Sequence, residues 1–133
     1  MRWIANNKAI KNNSNQNGQI AEETAKTFLQ AQGLTYLEKN FHSRWGELDL
    51  IMKDQNVIVF VEVKFRKNNL FGGAISAVSR QKQQKIIKTS AIYLQHQGLN
   101  EYNTPYRFDV VAIEGNTDNI AKSPIIWLKN AFN

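Results

Sequence analysis

The chain has no cysteine, and only two histidines (His42 and His96) and two prolines among its 133 residues. Without thiols there can be no disulfides, thiolate zinc sites or cysteine-bound iron–sulfur clusters, so any functional metal must be a hard cation held through oxygen. Long apolar runs are missing too. No segment approaches the roughly 20 apolar residues needed to cross a bilayer, and the start Met1-Arg2-Trp3-Ile4-Ala5-Asn6 lacks the apolar core of a secretory signal. A cytoplasmic protein without a membrane partner is the expectation. Acidic residues are the scarcer charge, 11 against 17 Lys and Arg, which leaves +6. Such an excess suits a polyanionic partner, although charge alone does not separate nucleic acid from an anionic lipid surface.

What is present reads as one globular domain, given 42% hydrophobic residues in a chain of this length. Residues 1–17 are rich in asparagine and show no repeating apolar face, which predicts a mobile leader before a single domain over 18–133. Ile20, Ala21, Thr24, Ala25, Phe28 and Leu29 recur at helical spacing, so a helix is expected over about Gly18 to Gln32, ended by Gly33. Strands are expected over Leu34 to Phe41, Glu47 to Met52 and Val57 to Phe65. A second helix follows, capped by Ser79 and closed by Gly98, with Ile86, Ile87, Ser90, Ala91 and Leu94 facing inward. Two further strands, Tyr106 to Ile113 and Pro124 to Leu128, flank a turn near Gly115-Asn116. Helix, three strands, helix and two strands make a mixed α/β fold with one central sheet.

The most informative segment is Val57-Ile58-Val59-Phe60-Val61-Glu62-Val63-Lys64-Phe65, in which two charges stand at alternate positions of a strongly apolar strand. Alternation puts Glu62 and Lys64 on one face, where burial costs several kcal/mol, roughly, unless each is paired or binds a metal. Glu47 and Asp49 share a face of the preceding strand. If Asp54-Gln55-Asn56-Val57 closes a hairpin with an even loop, Asp49 falls opposite Glu62 and Glu47 opposite Lys64. An odd loop would separate them. The even loop is favoured because it gathers four charges that a cation can satisfy.

Asp49 and Glu62 are suited to Mg²⁺ or Mn²⁺, with Glu22 of the first helix completing the metal set and Glu23 as the alternative if the helix is rotated. Lys64 is placed to orient an attacking water or to neutralise charge on a phosphate, and Glu47 joins the catalytic group. A Glu-x-Lys pair on its own is more often a structural ion pair; the accompanying acids favour phosphodiester chemistry. Between Lys64 and Lys88 lie Arg66, Lys67, Arg80, Lys82 and Lys85 with no Asp or Glu, either a solvated face or a nucleic-acid contact surface. His42 is expected at the surface, Trp45 and Phe71 as sheet cover or base-stacking groups, and Arg107 with Asp109 as a supporting ion pair.

These residues resemble the YraN-like family, small bacterial proteins that look like nucleases of the PD-(D/E)XK, or restriction-endonuclease-like, superfamily. The likeness rests on Ala21-Glu22 with Ala25 and Leu29, Asn40 before Gly46-Glu47-Leu48-Asp49-Leu50-Ile51, Phe60-Val61-Glu62-Val63-Lys64, Arg107-Phe108-Asp109-Val110-Val111 and Asn130-Ala131-Phe132. It implies a restriction-endonuclease-like fold with an α-β-β-β-α-β core. Asp49 and Glu62 then match the two motif acids, Lys64 the motif lysine and Glu22 the helix-one glutamate. A likeness to archaeal Holliday-junction resolvases adds a homodimer to the expectations without carrying their substrate over; branched or otherwise structured DNA belongs to the expected function itself. Ala21 and His42 depart from the family's usual glycine and arginine. The expected function is a Mg²⁺- or Mn²⁺-dependent DNA endonuclease; the alternatives are a catalytically silent nucleic-acid-binding accessory and a protein-interaction adaptor.

Overall fold

An all-apolar strand such as Val57–Phe60 needs cover on both faces, and the architecture supplies it. The structure, a computed structural model, describes the backbone of residues 2–66, 78–115 and 117–133, and the side chains of 16–66, 78–115 and 119–133. In chain order it comprises α1 (Arg2–Ala31), β1 (Thr35–Ser43), β2 (Gly46–Asp54), β3 (Val57–Arg66), α2 (Arg80–His96), β4 (Tyr106–Glu114), a 3₁₀ segment (Thr117–Lys122) and β5 (Ile125–Phe132). The five strands form one sheet in the order β1-β2-β3-β4-β5. Neighbours are antiparallel except β3 and β4, which are parallel and joined through α2. This is the mixed α/β layout of a restriction-endonuclease-like domain, with β3 at its centre.

Ala21, Ala25 and Leu29, four residues apart along α1, press on Leu50, Met52, Val59, Val61, Val111 and Ile113 on one side of the sheet. On the other side Ile86, Tyr93 and Leu94 of α2 meet Leu48, Ile51, Ile58, Phe60, Phe108 and Val110. The α2 stripe is rotated from the expected one: Thr89 and Ser90 are buried and Ile87 and Ala91 only half-buried. The buried hydroxyls are satisfied, Thr89 donating to the Lys85 carbonyl at 2.8 Å and Ser90 to that of Ile87 at 2.7 Å. Ser79 caps the helix as expected, its hydroxyl accepting from the Lys82 N–H at 3.1 Å.

Two boundaries differ from expectation. The first helix begins at Arg2 rather than near Gly18, so the Asn-rich segment read as a leader continues the helical backbone of α1. Asparagine is a weak helix former without being a helix breaker, and no proline interrupts the segment. At the other end, β5 runs on to Phe132, because Phe132 stacks on Phe108 at 5.0 Å between ring centroids. Gly33 turns the chain out of α1 at φ 100°, a conformation that glycine adopts at least cost.

Arg107 and Asp109 form the expected ion pair at 3.0 Å. Asp109 is completely buried and also accepts from the Trp127 indole N–H and the Asn130 backbone N–H, each at 2.9 Å. Those bonds tie β5 to β4. Truncating this carboxylate strands three donors, so Asp109→Ala should cost about 3–5 kcal/mol in chemical denaturation; a loss within experimental error would show that the network does not hold the sheet.

Candidate active site

The hairpin of β2 and β3 turns at Gln55-Asn56, with Asp54 paired to Val57 and Gln55 at φ 56°, as a primed two-residue turn requires. The even loop expected from sequence is therefore present, and its register points Asp49 toward Glu62. The regular ladder runs only as far as Leu50 and Val61. Beyond it the carboxylate of Asp49 takes the Val63 backbone N–H at 2.9 Å, so a side chain fills the gap where the two strands part.

The alternation of β2 also slips at this point. Leu48 belongs to the core under α2 and Leu50 to the core under α1, although they lie two residues apart. In β1 the neighbouring position is Asn40, between Lys39 paired to Leu50 and Phe41 paired to Leu48. Asn40 has φ 54°, and asparagine is among the few residues besides glycine that enter this region readily. One face for all four charges is thus replaced by a junction. Glu47 turns toward Glu22 of α1, Glu62 and Lys64 stay on the α2 side, and Asp49 stands between them.

Carboxylate oxygens of Glu22, Glu47 and Asp49 lie within 4.8 Å of one another. Ligand oxygens around Mg²⁺ sit at about 2.1 Å from the ion, hence roughly 3–4 Å apart, so small side-chain rotations close the set on a hard divalent cation. With its amide nitrogen facing the acids, Asn40 donates to Glu22 at 3.1 Å and to Glu47 at 2.9 Å. Burial, then Asp49 and Glu47, push the Glu22 carboxyl up to about 7, with Lys39 and Asn40 opposing. Asp49 is raised by burial, while the Val63 N–H pulls the other way. Three acids converge with too little positive charge beside them.

Glu62, 4% exposed, is the fourth acid, and burial followed by repulsion from Asp49 takes it to about 8. One of its oxygens lies 3.8 Å from the Lys64 ammonium and 3.7 Å from that of Lys82. Of the residues expected at the site, Glu22, Glu47, Asp49, Glu62 and Lys64 all converge here, with Glu62 turned to the lysines and Glu47 inside the cation-sized cluster. Glu23 points away and pairs with Lys26 at 3.8 Å. Asn40 and Lys82 join the acids without being expected there. Asn40 is a motif residue of the family resemblance and a turn-prone residue inside an expected strand; nothing in the sequence links Lys82 to Glu62, since only docking of α2 on the sheet brings the two together.

Of the basic residues, Lys64 and Arg66 are half-buried on β3, and Arg80, Lys85 and Lys88 are exposed on α2. Lys67 and Phe71 lie outside the described residues. His42 is exposed, as expected, with Nδ1 3.4 Å from Glu47. Among the described residues no helix is long and apolar enough to cross a membrane.

The raised acids fix a sign. A carboxyl whose pKa is higher in the folded state than in the unfolded chain adds stability below the unfolded value near 4.5, and that stability is lost as pH rises through the folded value. With Glu22 at about 7 and Glu62 at about 8, the melting temperature in EDTA should fall between about pH 5 and pH 8.5. Glu62→Gln should flatten the upper part of that fall, and Mn²⁺ added at the alkaline end should reverse it. A melting temperature that is level or climbs over this range would mean that the acids do not crowd as described.

A model of the family described as "Uncharacterised protein family UPF0102" matches residues 21–113. A UPF0102 protein of Colwellia psychrerythraea is 51% identical over 132 residues, covering 99% of this chain and 100% of that protein. Another, from Vibrio campbellii, is 46% identical over 115 residues, with 86% of this chain and 90% of that protein covered. A third, from Nitrosomonas europaea, is 46% identical over 116 residues, with coverage of 86% and 92%. The matched span holds Glu22, Asn40, Glu47, Asp49, Glu62, Lys64 and the lysines of α2. The chain belongs to the UPF0102 family, in keeping with the YraN-like motifs of its sequence.

Proposed function

We propose that this protein is a divalent-metal-dependent nuclease that hydrolyses phosphodiester bonds in DNA. The observation that carries the reading is the convergence of Glu22, Glu47 and Asp49 on one cation-sized space, with Glu62 and Lys64 beside it. Burial, reinforced by repulsion from Asp49 and Glu47, raises the Glu22 carboxyl to about 7, and a hard cation would relieve that repulsion directly. Glu22, Glu47 and Asp49 would hold Mg²⁺ or Mn²⁺, which supplies Lewis-acid polarisation of the phosphate and acidifies a bound water.

The chain's own groups do the rest. Val63 N–H and Asn40 fix the orientation of Asp49, Glu22 and Glu47, so the ligand set is organised before substrate arrives. Lys64 aims its ammonium along the same face as Glu62, where it orients the attacking water or offsets charge building on the phosphoryl oxygens. Glu62, raised to about 8 by burial and Asp49, can accept a proton from that water only in its ionised form, which a cation bound nearby would favour. The basic groups of β3 and α2 bind the flanking phosphates.

A second reading has its own support. Lys64 and Lys82 both approach Glu62, and an acid satisfied internally suits a nucleic-acid-binding protein that does not cut. A cleavage screen over duplex, single-stranded, flap and four-way-junction DNA with Mg²⁺ or Mn²⁺ separates the two. Cutting should appear with metal and vanish in EDTA. Glu62→Ala and Lys64→Ala should each lower the rate at least about 10²-fold while the far-ultraviolet circular dichroism stays as in the parent. Full-rate cutting by either variant removes the assignment, and metal-independent binding with no cutting on any substrate favours the binder.

A further inference from the structure

Trp45 stands at the tip of the β1–β2 turn, two residues from Glu47, and remains 38% exposed. Its ring carries two cations: the Arg44 guanidinium at 5.0 Å from the centroid and the Lys88 ammonium at 4.2 Å. The turn is held against α2. Ser43 and Thr89 share a hydroxyl hydrogen bond at 2.9 Å, Ser43 accepts from the Trp45 N–H at 3.0 Å, and a side chain at Gly46 would touch Lys85. Gly46, at φ 150°, lets the hairpin turn that close to the helix.

Three lysines connect this ring to the acids. Lys82 meets Glu62, Lys85 lies beside Gly46 and Lys88 covers Trp45. Six residues of helix rise about 9 Å, the axial rise of roughly three stacked nucleotides. An exposed indole at the end of a short cationic row is the arrangement that proteins use to stack an unpaired base while binding the backbone on either side. A base in an intact duplex is already stacked on both sides and cannot take that place.

We propose that Trp45, with Arg44 and Lys88, is a base-stacking platform that binds an unpaired nucleotide of single-stranded nucleic acid close to the acid cluster. The arriving base displaces a cation from the indole face, and the freed lysine or arginine turns to the neighbouring phosphate. Both side chains are long enough to make that exchange. The proposal deepens the nuclease reading by naming the substrate class, strands with unpaired bases near the scissile bond, and rests on that reading only for cleavage.

Binding measured in EDTA tests the platform without cleavage. Fluorescently labelled single-stranded DNA, single-stranded RNA of the same sequence and blunt duplex DNA are titrated with the full chain, with Trp45→Ala and with Trp45→Phe. Trp45→Ala should weaken single-strand binding roughly 5- to 100-fold and leave duplex binding nearly unchanged, while Trp45→Phe should recover most of the loss. Tryptophan fluorescence of the parent should be quenched by the single strand, and that quenching should be largely lost in Trp45→Phe. Equal loss on single strand and duplex, or none on either, overturns the platform; the DNA and RNA arms decide which single strand it takes. An unfolding curve of Trp45→Ala matching the parent excludes misfolding as the cause, and if that variant is unfolded the Phe variant's fluorescence decides. A parent that binds single strands through Trp45 but never cuts refutes the nuclease alone, whereas a cutting parent whose Trp45→Phe and Trp45→Ala variants show parent-like single-strand binding refutes the platform alone.

Discussion

Burial of acids side by side at the fork between β2 and β3 is the condition to which the surrounding structure answers. Asp49 brings a carboxylate to the point where two central strands separate, and Glu22, Glu47 and Glu62 arrive there from α1, β2 and β3. Acids this close and this shielded from water favour their protonated forms, which is the direction found for Glu22, Asp49 and Glu62. The local answers include one backbone N–H on Asp49, one amide across Glu22 and Glu47, Lys39 near Glu22, His42 near Glu47 and two lysines near Glu62. None of them neutralises the three-acid group, and a divalent cation is the simplest species that would.

The contrast with Asp109 is instructive. That acid is even more completely enclosed, yet a guanidinium, an indole N–H and a backbone N–H consume its oxygens. Arg107 also reaches Asp54 at 3.0 Å, so one guanidinium braces the hairpin turn and the β4–β5 edge together. A buried acid with a complete set of donors is a structural element, while acids that face one another with donors to spare for only some oxygens are a candidate site. The same distinction could not be drawn from the letters Arg-x-Asp and Glu-x-Lys, which look alike as alternating charges in apolar strands.

Much of the fold was readable in the order of residues. The run from Val57 to Val63 announced a central strand, the four-residue spacing of Ala21, Ala25 and Leu29 announced the face of α1, and Ser79 and Gly33 marked helix ends by their own stereochemistry. The two-residue turn at Gln55-Asn56 is legible because only an even loop brings Asp49 opposite Glu62. Less readable were the extension of α1 to Arg2 and of β5 to Phe132, because helical continuation through asparagine and stacking against Phe108 leave no periodic trace.

The amino-acid order fixed which chemistry is available: no thiol, few imidazoles, one acid on the first helix, three acids and a lysine on two inner strands, and a basic stretch after them. Those residue types suit hard-cation and phosphate chemistry only where packing gathers them. Their arrangement is a property of the packed molecule. The left-handed turn at Asn40 and the slip in alternation at Asp49 arise because two strands must separate there while both flanking cores stay filled. That separation sends Glu47 toward α1, leaves Glu62 with Lys82, and sets Trp45 at the end of a lysine row. Neighbours along a strand report only period and parity, so no reading of them alone could have found these contacts.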